Sequence, residues 1–336
     1  MFAPTRRRFL QTSAGLAGVS TLGIGPAVAK PLPFRFAYSA ISWDANIEDA
    51  IKAGQRLGLP GIEPFRLNVV NYFNRPLALK KLLDDAGMQL VTCSNGGAPG
   101  DKPKGTREFS SNFFDPTVQD RTVADHIAFA HDFILPFGYC NHFKMNPGPR
   151  PASGETRDED IKVCADSMNR IGRETLKFGI KLSPHPHVGA LIETEHEVRL
   201  LMSLTDPRYV FLTADTAHLT LGGMDPFQIL KDYWPRVTEV HYKDAPTHLR
   251  GNKVLAVPKT GPEAGGHGWF RNLGAPDSGG VDFPAIHAFL IEKNFPGWVT
   301  LDLDASMVPQ GSTMEETLKG NIKYLVDVLK VDPRTV

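Results

Sequence analysis

Residues Lys181–Glu195 have the sequence KLSPHPHVGALIETE, and the rest of the chain repeats their arrangement. A short apolar run ends in two histidines, His185 and His187, and a helical pattern begins at Thr194. This order predicts a strand that delivers two imidazoles at its carboxyl end, directly before a turn and a helix. Three later segments end in the same way, at Asp215, His241 and Asp302. The four strand ends therefore predict one shared metal site.

The unit of a strand followed by a helix recurs along the chain. Short apolar runs predict strands over residues 34–40, 61–64, 89–94, 139–144, 180–185, 210–215, 237–241 and 297–302. Helical spacing predicts helices over residues 47–57, 77–86, 122–137, 158–178, 195–204, 226–233, 283–293 and 315–329. Eight such units predict parallel pairing and an α/β fold, the closed (β/α)8 TIM barrel.

An open doubly wound sheet is the alternative arrangement of the same units. It is disfavoured because residues 39–44, SAISWD, contain no glycine-rich phosphate turn after the first strand. Two long segments rich in glycine and proline, 95–118 and 245–280, are predicted to be loops at the rim of the barrel. Loops of this length could cover the site as lids or make the contacts of a homodimer.

The N-terminal segment has the character of an export signal. A pair of arginines, Arg6-Arg7, precedes a mildly apolar run that ends in Ala27-Val28-Ala29. This pattern predicts a twin-arginine signal peptide over residues 1–29 and a periplasmic or exported protein. An uncleaved membrane anchor is the alternative, but the glycine-rich run is short for a spanning helix. A single barrel domain is predicted over residues 30–336.

The composition argues against some classes of partner. Basic and acidic residues balance at 37 each, so no basic excess indicates nucleic-acid binding. After the signal segment, no apolar run is long enough to span a membrane. The three cysteines, Cys93, Cys140 and Cys164, lack C-x-x-C spacing and are predicted to be buried free thiols, with one disulfide at most.

In a barrel of this kind the active site lies at the carboxyl-terminal rim of the strands. The titratable residues at the predicted strand ends are Glu63, Lys144, His185, His187, Asp215, His218, His241 and Asp302. One such residue alone is more often a satisfied polar group or a helix cap, but a matched set at one rim indicates a site. Two imidazoles and two carboxylates suit Mn, Fe, Co or Zn better than Mg, which prefers oxygen ligands. The predicted acid and base groups are Glu63, Lys144, His187 and His218.

Short motifs along the chain resemble those of a known family. They are ISW at Ile41–Trp43, GIEP at Gly61–Pro64, DTAH at Asp215–His218, HYKD at His241–Asp244, GVDFP at Gly280–Pro284 and GWVTLD at Gly297–Asp302. In this order and spacing they resemble the sugar isomerase/epimerase superfamily of xylose isomerase-like TIM barrels. The resemblance covers most of the chain after the signal segment. It implies one divalent metal ion and an enolate or enediolate reaction on a sugar or keto-sugar.

Members of that superfamily usually hold the metal with Glu, Asp, His and Glu at strands five to eight. The resemblance places these ligands on His185, Asp215, His241 and Asp302. Two departures are His185 and the shorter Asp302, because the two family glutamates also form the opposed acid/base pair of the epimerases. Residues His187–Thr194 are more similar to the inosose dehydratase branch. Isomerisation or epimerisation on one side, and elimination on the other, therefore both remain open.

Further residues are candidates for substrate contact. The predicted substrate-binding residues are Trp43, Lys243, Asp244, Trp269 and Arg271, and Phe65, Phe114, His267 and Phe270 are additional candidates. Asp304 is the alternative to Asp302 as a ligand, because strand alternation sends both to the same side. Two other functions are weighed as alternatives. A DNA repair endonuclease is disfavoured by the neutral charge, and an inactive periplasmic sugar-binding protein would hold no metal.

Overall fold

Eight parallel strands alternate with helices along the part of the chain that is described. They belong to a computed structural model that describes residues 31–43, 46–95, 111–251, 257–258, 263, 266 and 268–335. The strands are β1 (Arg35–Ser39), β2 (Gly61–Glu63), β3 (Gln89–Leu90), β4 (His142–Met145), β5 (Lys181–Pro184), β6 (Leu212–Asp215), β7 (Val237–Tyr242) and β8 (Trp298–Leu301). Each overlaps its predicted range. The predicted export signal over residues 1–29, most of the loop 95–118 and His267 lie outside the described residues.

The strands close into a barrel built from two sheets. Six strands pair in the order β3-β2-β1-β8-β7-β6, and β4 pairs with β5. The first and last strands are neighbours, with Arg35 opposite Trp298 and Tyr38 opposite Leu301. The pairing of β1 with β8 confirms the predicted (β/α)8 barrel, because the end strands of an open sheet would stay apart.

Two seams join the two sheets. At the β5–β6 seam, the N–H of Phe211 donates to the C=O of Leu182 at 2.7 Å. At the β3–β4 seam, the Thr92 hydroxyl donates to the C=O of His142 at 2.9 Å and accepts from the N–H of Lys144 at 3.0 Å. One side chain therefore replaces the backbone ladder between β3 and β4.

The helices follow the prediction with two differences. They are α1 (Ile47–Leu57), α2 (Pro76–Asp85), α3 (Gln119–Phe129), α4 (Asp158–Leu176), α5 (Glu195–Leu204), α6 (Thr216–Leu221), α7 (Pro226–Asp232), α8 (Phe283–Glu292) and α9 (Met314–Asp327). The helix predicted to reach residue 137 changes after α3 to a π-helical turn, Ala130–Ile134, and a 3-10 turn, Leu135–Phe137. The sequence does not predict α6, because all its residues are buried and show no amphipathic period.

Asp215 ends β6 and also caps α6. Its Oδ1 accepts from the N–H of His218 at 2.8 Å, which is the bond of an N-cap residue. The helix therefore starts without a connecting loop. His218 lies in the first turn of α6 and is held beside the rim of the barrel.

The strands carry apolar residues on one face and polar residues on the other. Phe143, Val240 and Leu301 belong to the main hydrophobic cluster between the strands and the helices. Their chain neighbours Lys144 and His241 are buried too, although both are polar. Because side chains alternate along a strand, this pattern places a buried polar lining inside the barrel.

The three cysteines are free and buried, in agreement with the prediction. Burial raises the pKa of the Cys140 thiol to about 12, which keeps it protonated at neutral pH. Of the helices that the structure describes, none has both the length and the apolarity to cross a membrane.

Candidate active site

Three predicted metal ligands from consecutive strands converge at the rim. His185 follows β5, Asp215 ends β6 and His241 lies near the end of β7. Each contributes one atom to a group whose members all lie within 4.8 Å of one another. Asp215 Oδ2 lies 3.4 Å from His241 Nδ1 and 3.8 Å from His185 Nε2. Parallel strands bring their carboxyl ends together, so this convergence follows from the barrel itself.

The three converging atoms have no hydrogen-bond partner within the described residues. They are His185 Nε2, Asp215 Oδ2 and His241 Nδ1. Buried polar atoms are nearly always satisfied, and three orphans that face one another need a common partner. Two nitrogens and one carboxylate oxygen at this spacing are the donors that a divalent transition metal binds. The residues present therefore fit a metal ion.

The ionisation of His185 and Asp215 suits a cation, whereas a cation would have to displace a proton from His241. Burial opposes a charge on His241, but Glu63, Asp215 and Glu239 raise its pKa well above its ordinary value. Burial lowers the pKa of His185 to about 3, so its imidazole is neutral and has a lone pair to offer. Burial opposes the charge of Asp215, but His218 and the other neighbouring histidines hold the pKa of this carboxyl well below its ordinary value. Asp215 is therefore an anion at neutral pH.

The fourth predicted ligand, Asp302, lies apart from the three-atom group. Its Oδ2 accepts from Lys243 Nζ at 2.8 Å, and it shares a second group with Asp215 and His218. Asp304, the alternative, accepts from the N–H of Ser306 at 2.8 Å as the cap of a short turn. Of these two aspartates, Asp302 is thus the one that joins the cluster of buried site residues.

Two predicted catalytic residues form a buried ion pair behind His241. Lys144 donates to Glu63 Oε1, and Glu63 Oε2 accepts from His241 Nε2 at 2.8 Å. Burial lowers the pKa of Lys144, but the carboxylates of Glu63, Asp302 and Glu239 together outweigh this effect, and the net direction is upward. Both carboxylate oxygens of Glu63 are therefore engaged, on one side by an ammonium and on the other by an imidazole.

A second buried carboxylate, Glu239, was not among the predicted site residues. It accepts from His142 Nε2 at 2.9 Å and from the Thr300 hydroxyl, and its Oε1 lies 3.5 Å from His241 Nε2. Glu239 stands two residues before His241, and His142 stands two residues before Lys144. Strand alternation would have placed both on the same face as the predicted rim residues, so the signal was present in the sequence.

His187 and His218 stack against each other beside the metal ligands. Their ring centroids lie 3.6 Å apart with an interplanar angle of 32°. His187 Nδ1 donates to the C=O of Val188 at 2.6 Å, which leaves its Nε2 as an acceptor. The N–H of Val188 donates to His218 Nδ1 at 3.3 Å, which leaves the ring proton of His218 on Nε2. The C=O and the N–H of one residue, Val188, thus place the ring proton on Nδ1 in His187 and on Nε2 in His218.

Both stacked histidines are neutral near pH 7. Burial and the ammonium of Lys243 lower the pKa of His187 to about 4. Burial and the neighbouring His187 hold the pKa of His218 well below its ordinary value. The pair therefore offers one basic nitrogen and one N–H donor.

Lys243 is the predicted substrate-binding residue that the structure places at this cluster. Its Nζ lies 3.8 Å from the ring centroid of Phe270, and Phe270 contacts His218 edge-on at 4.8 Å. Phe270 comes from the long segment 245–280. This segment therefore covers the site through an aromatic side chain.

Asp244 and Arg271 hold the base of the same segment. Asp244 accepts from the backbone N–H of Gly279 at 2.9 Å and of Val281 at 3.1 Å, and its own backbone pairs with that of Arg271. Arg271 Nε donates to Asp277 at 2.5 Å. These contacts organise the loop, and none of them directs either charge to the metal ligands.

The two predicted tryptophans also contact other parts of the chain. Trp269 Nε1 donates to Glu263 at 3.0 Å inside the long segment. Trp43 packs edge-on against Tyr38 at 5.6 Å and lines a cavity of about 360 Å³ between α1 and α9. The described contacts of Trp43 therefore do not bring it to the histidine cluster.

The match to a family of known proteins agrees with this geometry. Residues 51–326 match the model of the xylose isomerase-like TIM barrel. The chain belongs to this family. It is an enzyme superfamily, as the resemblance of the sequence motifs indicates.

The chain is similar in sequence to inosose dehydratases and similar in fold to a solved isomerase/epimerase structure. An inosose dehydratase of Clostridium botulinum is 33% identical over 167 residues, which cover 48% of this chain and 53% of the relative. This match thus spans about half the length of the relative. An inosose dehydratase of Geobacillus kaustophilus is 27% identical over 292 residues, covering 81% and 88% of the two chains. The solved structure of a sugar phosphate isomerase/epimerase from Parabacteroides distasonis has a TM-score of 0.59 at 18% identity, over 89% of this chain and 96% of that one.

Proposed function

We propose that the protein is a divalent-metal-dependent dehydratase that eliminates water from a keto-sugar or an inosose. One observation carries this choice among the reactions of the superfamily. The stacked pair His187 and His218 presents a basic nitrogen and an N–H donor on the same side of the site, with tautomers fixed by Val188. The inosose dehydratase relatives support the same reaction class.

The cation would be held by His185, Asp215 and His241, whose three orphaned atoms converge. Asp302 remains the fourth candidate ligand. Mixed nitrogen and oxygen donors favour Mn, Fe, Co or Zn over Mg. When bound, such a cation acts as a Lewis acid that polarises the substrate carbonyl and makes the neighbouring C–H more acidic.

In this proposal His187 carries out both proton transfers of the elimination. His187 Nε2 removes the proton from the carbon beside the carbonyl, and the C–H electron pair forms the enolate. The enolate re-forms the carbonyl and expels the hydroxyl group of the next carbon. His187, now an imidazolium, returns the same proton to that hydroxyl, which leaves as water. His218 donates its Nε2–H to a substrate oxygen throughout and does not change its charge.

This scheme uses one base on one face of the substrate. An epimerase must remove a proton from one face and deliver one to the other. Both oxygens of Glu63 are already engaged, and Asp302 is paired with Lys243, so neither resembles the free second base of an epimerase. Elimination is therefore the reaction that the contacts support better.

Epimerisation or isomerisation is the second candidate, and one contact favours it. Lys243 carries an ammonium at the rim, next to Asp302 and over Phe270. An ammonium in this position could deliver a proton to the opposite face of an enolate. The structural neighbour from Parabacteroides distasonis is described as an isomerase/epimerase.

The two reactions separate in one experiment. The protein, loaded with Mn, Co or Zn, is incubated in D₂O with 2-keto-inositol and with 3-keto-sugars, and the mixture is followed by NMR and mass spectrometry. Elimination predicts loss of the α-proton and a product lighter by one water molecule. Deuterium exchange without loss of water would favour epimerisation. Absence of both deuterium exchange and loss of water with all these substrates would reject the enolate mechanism.

We also propose that residues 1–29 direct export through the twin-arginine route, so that the enzyme acts on small carbohydrates outside the cytoplasm. The paired arginines and the Ala27-Val28-Ala29 sequence support this. Replacement of Arg6 and Arg7 by lysine should retain the protein in the cytoplasm, as measured by fractionation. Exported protein whose N-terminal sequence starts at Lys30 agrees with the proposal, and a start at Met1 contradicts it.

A further inference from the structure

We infer that Glu63 and Lys144 are positioning residues for the metal ligand His241 and do not exchange protons with the substrate. The inference rests on the metal site proposed above. It concerns how the barrel interior fixes one of the three ligands.

The ring nitrogen Nε2 of His241 lies beside two buried carboxylates, Glu63 and Glu239. Its Nε2 donates to Glu63 at 2.8 Å and lies 3.5 Å from Glu239, while its Nδ1 has no partner within the described residues. The bond between Nε2 and the Glu63 carboxylate directs Nδ1 to the opposite side of the ring, towards the proposed cation. The same bond fixes the plane of the ring, so that Nδ1 faces Asp215 Oδ2 at 3.4 Å.

Lys144 holds the carboxylate of Glu63 in the orientation that this bond requires. Glu63 is fully buried, and the ammonium of Lys144 contacts its Oε1 while its Oε2 accepts from His241 Nε2 at 2.8 Å. Because both oxygens are bonded, the carboxylate is held in one orientation, and this orientation holds the ring of His241 in place.

The geometry argues against direct catalysis by either residue. The two residues bond to each other, and the second carboxylate oxygen of Glu63 bonds to His241, so neither oxygen of Glu63 is free to accept a proton from a substrate. Outer carboxylates that bond a metal-binding histidine typically change metal affinity about 10- to 100-fold when removed. The expected effect therefore appears in the binding of the cation and not only in turnover.

The test measures the dissociation constant of Zn and Co for the whole protein, by competition with a chromophoric chelator. Glu63→Gln keeps the shape but removes the charge, and we expect binding about 10- to 100-fold weaker. Lys144→Met should weaken binding too, because it removes the contact at Oε1 that holds the Glu63 carboxylate against His241. The double variant should bind no worse than the weaker single variant, since the two residues act as one unit.

A matched control separates this effect from a general loss of stability. Glu197 is a buried carboxylate paired with Arg150 at 2.8 Å, away from the three ligand atoms. Glu197→Gln should leave the dissociation constant of Zn unchanged while it lowers thermal stability. Nitrogen-15 NMR gives a second readout, because the Nε2–H signal of His241 should broaden or move in Glu63→Gln and stay in place in the control.

The outcomes are distinct. Unchanged metal affinity and loss of turnover in Lys144→Met would overturn the inference and restore Lys144 as a catalytic acid. Failure of the unmodified protein to bind any divalent cation would overturn the proposed function and this inference together. Weakened affinity in both single variants, with no further loss in the double variant, supports it.

Discussion

The histidines of the site form two pairs with different surroundings. Within the part of the chain that the structure describes, His185 and His241 each have a ring nitrogen without a hydrogen-bond partner, and both nitrogens face a shared carboxylate. His187 and His218 each have Nδ1 bonded to the backbone of Val188. A buried nitrogen without a partner is costly unless a ligand satisfies it, whereas a bonded Nδ1 settles which nitrogen carries the proton. The surroundings of His185 and His241 therefore suit the binding of a cation, and those of His187 and His218 suit the transfer of a proton.

The largest effect is expected for the first pair. His185→Ala removes one of three converging donors, so we expect the bound cation to be lost. Turnover should then fall on the order of 1,000-fold, because the Lewis acid contributes several kcal/mol. Elemental analysis of the purified variant checks the cation directly. His196→Ala, a matched change at an exposed histidine, should keep both the cation and the activity.

For the second pair we expect an effect on turnover and none on the cation. His187→Gln removes the basic nitrogen, and we expect kcat to fall about 100- to 10,000-fold. The metal content should equal that of the unmodified protein. Loss of the cation in this variant would contradict the division into two pairs, because it would make His187 a ligand.

The smallest effect concerns a third kind of buried histidine, His126, which lies outside the site. Its Nδ1 bonds the C=O of Thr122 at 2.7 Å and its Nε2 lies 3.1 Å from Asn95 Nδ2. Burial lowers its pKa from 6.5 to about 3. The unfolded chain therefore binds a proton in this range that the folded protein does not bind.

The sign of the pH dependence follows from this difference. The free energy of unfolding should fall as pH falls from 6.5 towards 3, by up to about 1.4 kcal/mol per pH unit for this histidine. Urea unfolding of the protein and of His126→Gln at several pH values isolates the contribution. Equal slopes for the two proteins would show that His126 does not cause it.

The site residues at or just after the strand ends could be predicted from the sequence, and the contacts of the long segment 245–280 could not. Asp215 and His241 converge because the register of parallel strands places their carboxyl ends at one rim. Asp244 and Arg271 are equally polar, yet both bond to residues of the long segment 245–280. No period in the sequence specifies the direction of a loop side chain.

Two details of the site required the structure. The pairing of Lys243 with Asp302 draws the predicted fourth ligand away from the other three. The opposite tautomers of His187 and His218 depend on a turn at Val188, which a linear motif does not describe. The residue types in the sequence therefore predicted which chemical groups lie at the rim. Only the contacts in the structure showed which of these groups could bind a cation and which could transfer a proton.

A cation at the proposed site would also affect the stability of the barrel, because the site lies beside one of the two seams. His185 follows a strand of the two-stranded sheet, whereas Asp215 and His241 belong to the six-stranded sheet. A cation shared by these side chains would cross-link the two sheets close to the β5–β6 seam, where few backbone bonds do so. At a concentration 100-fold above its dissociation constant, such a ligand adds about 2.7 kcal/mol to the free energy of unfolding. Loading the metal would thus also strengthen the barrel at the β5–β6 seam.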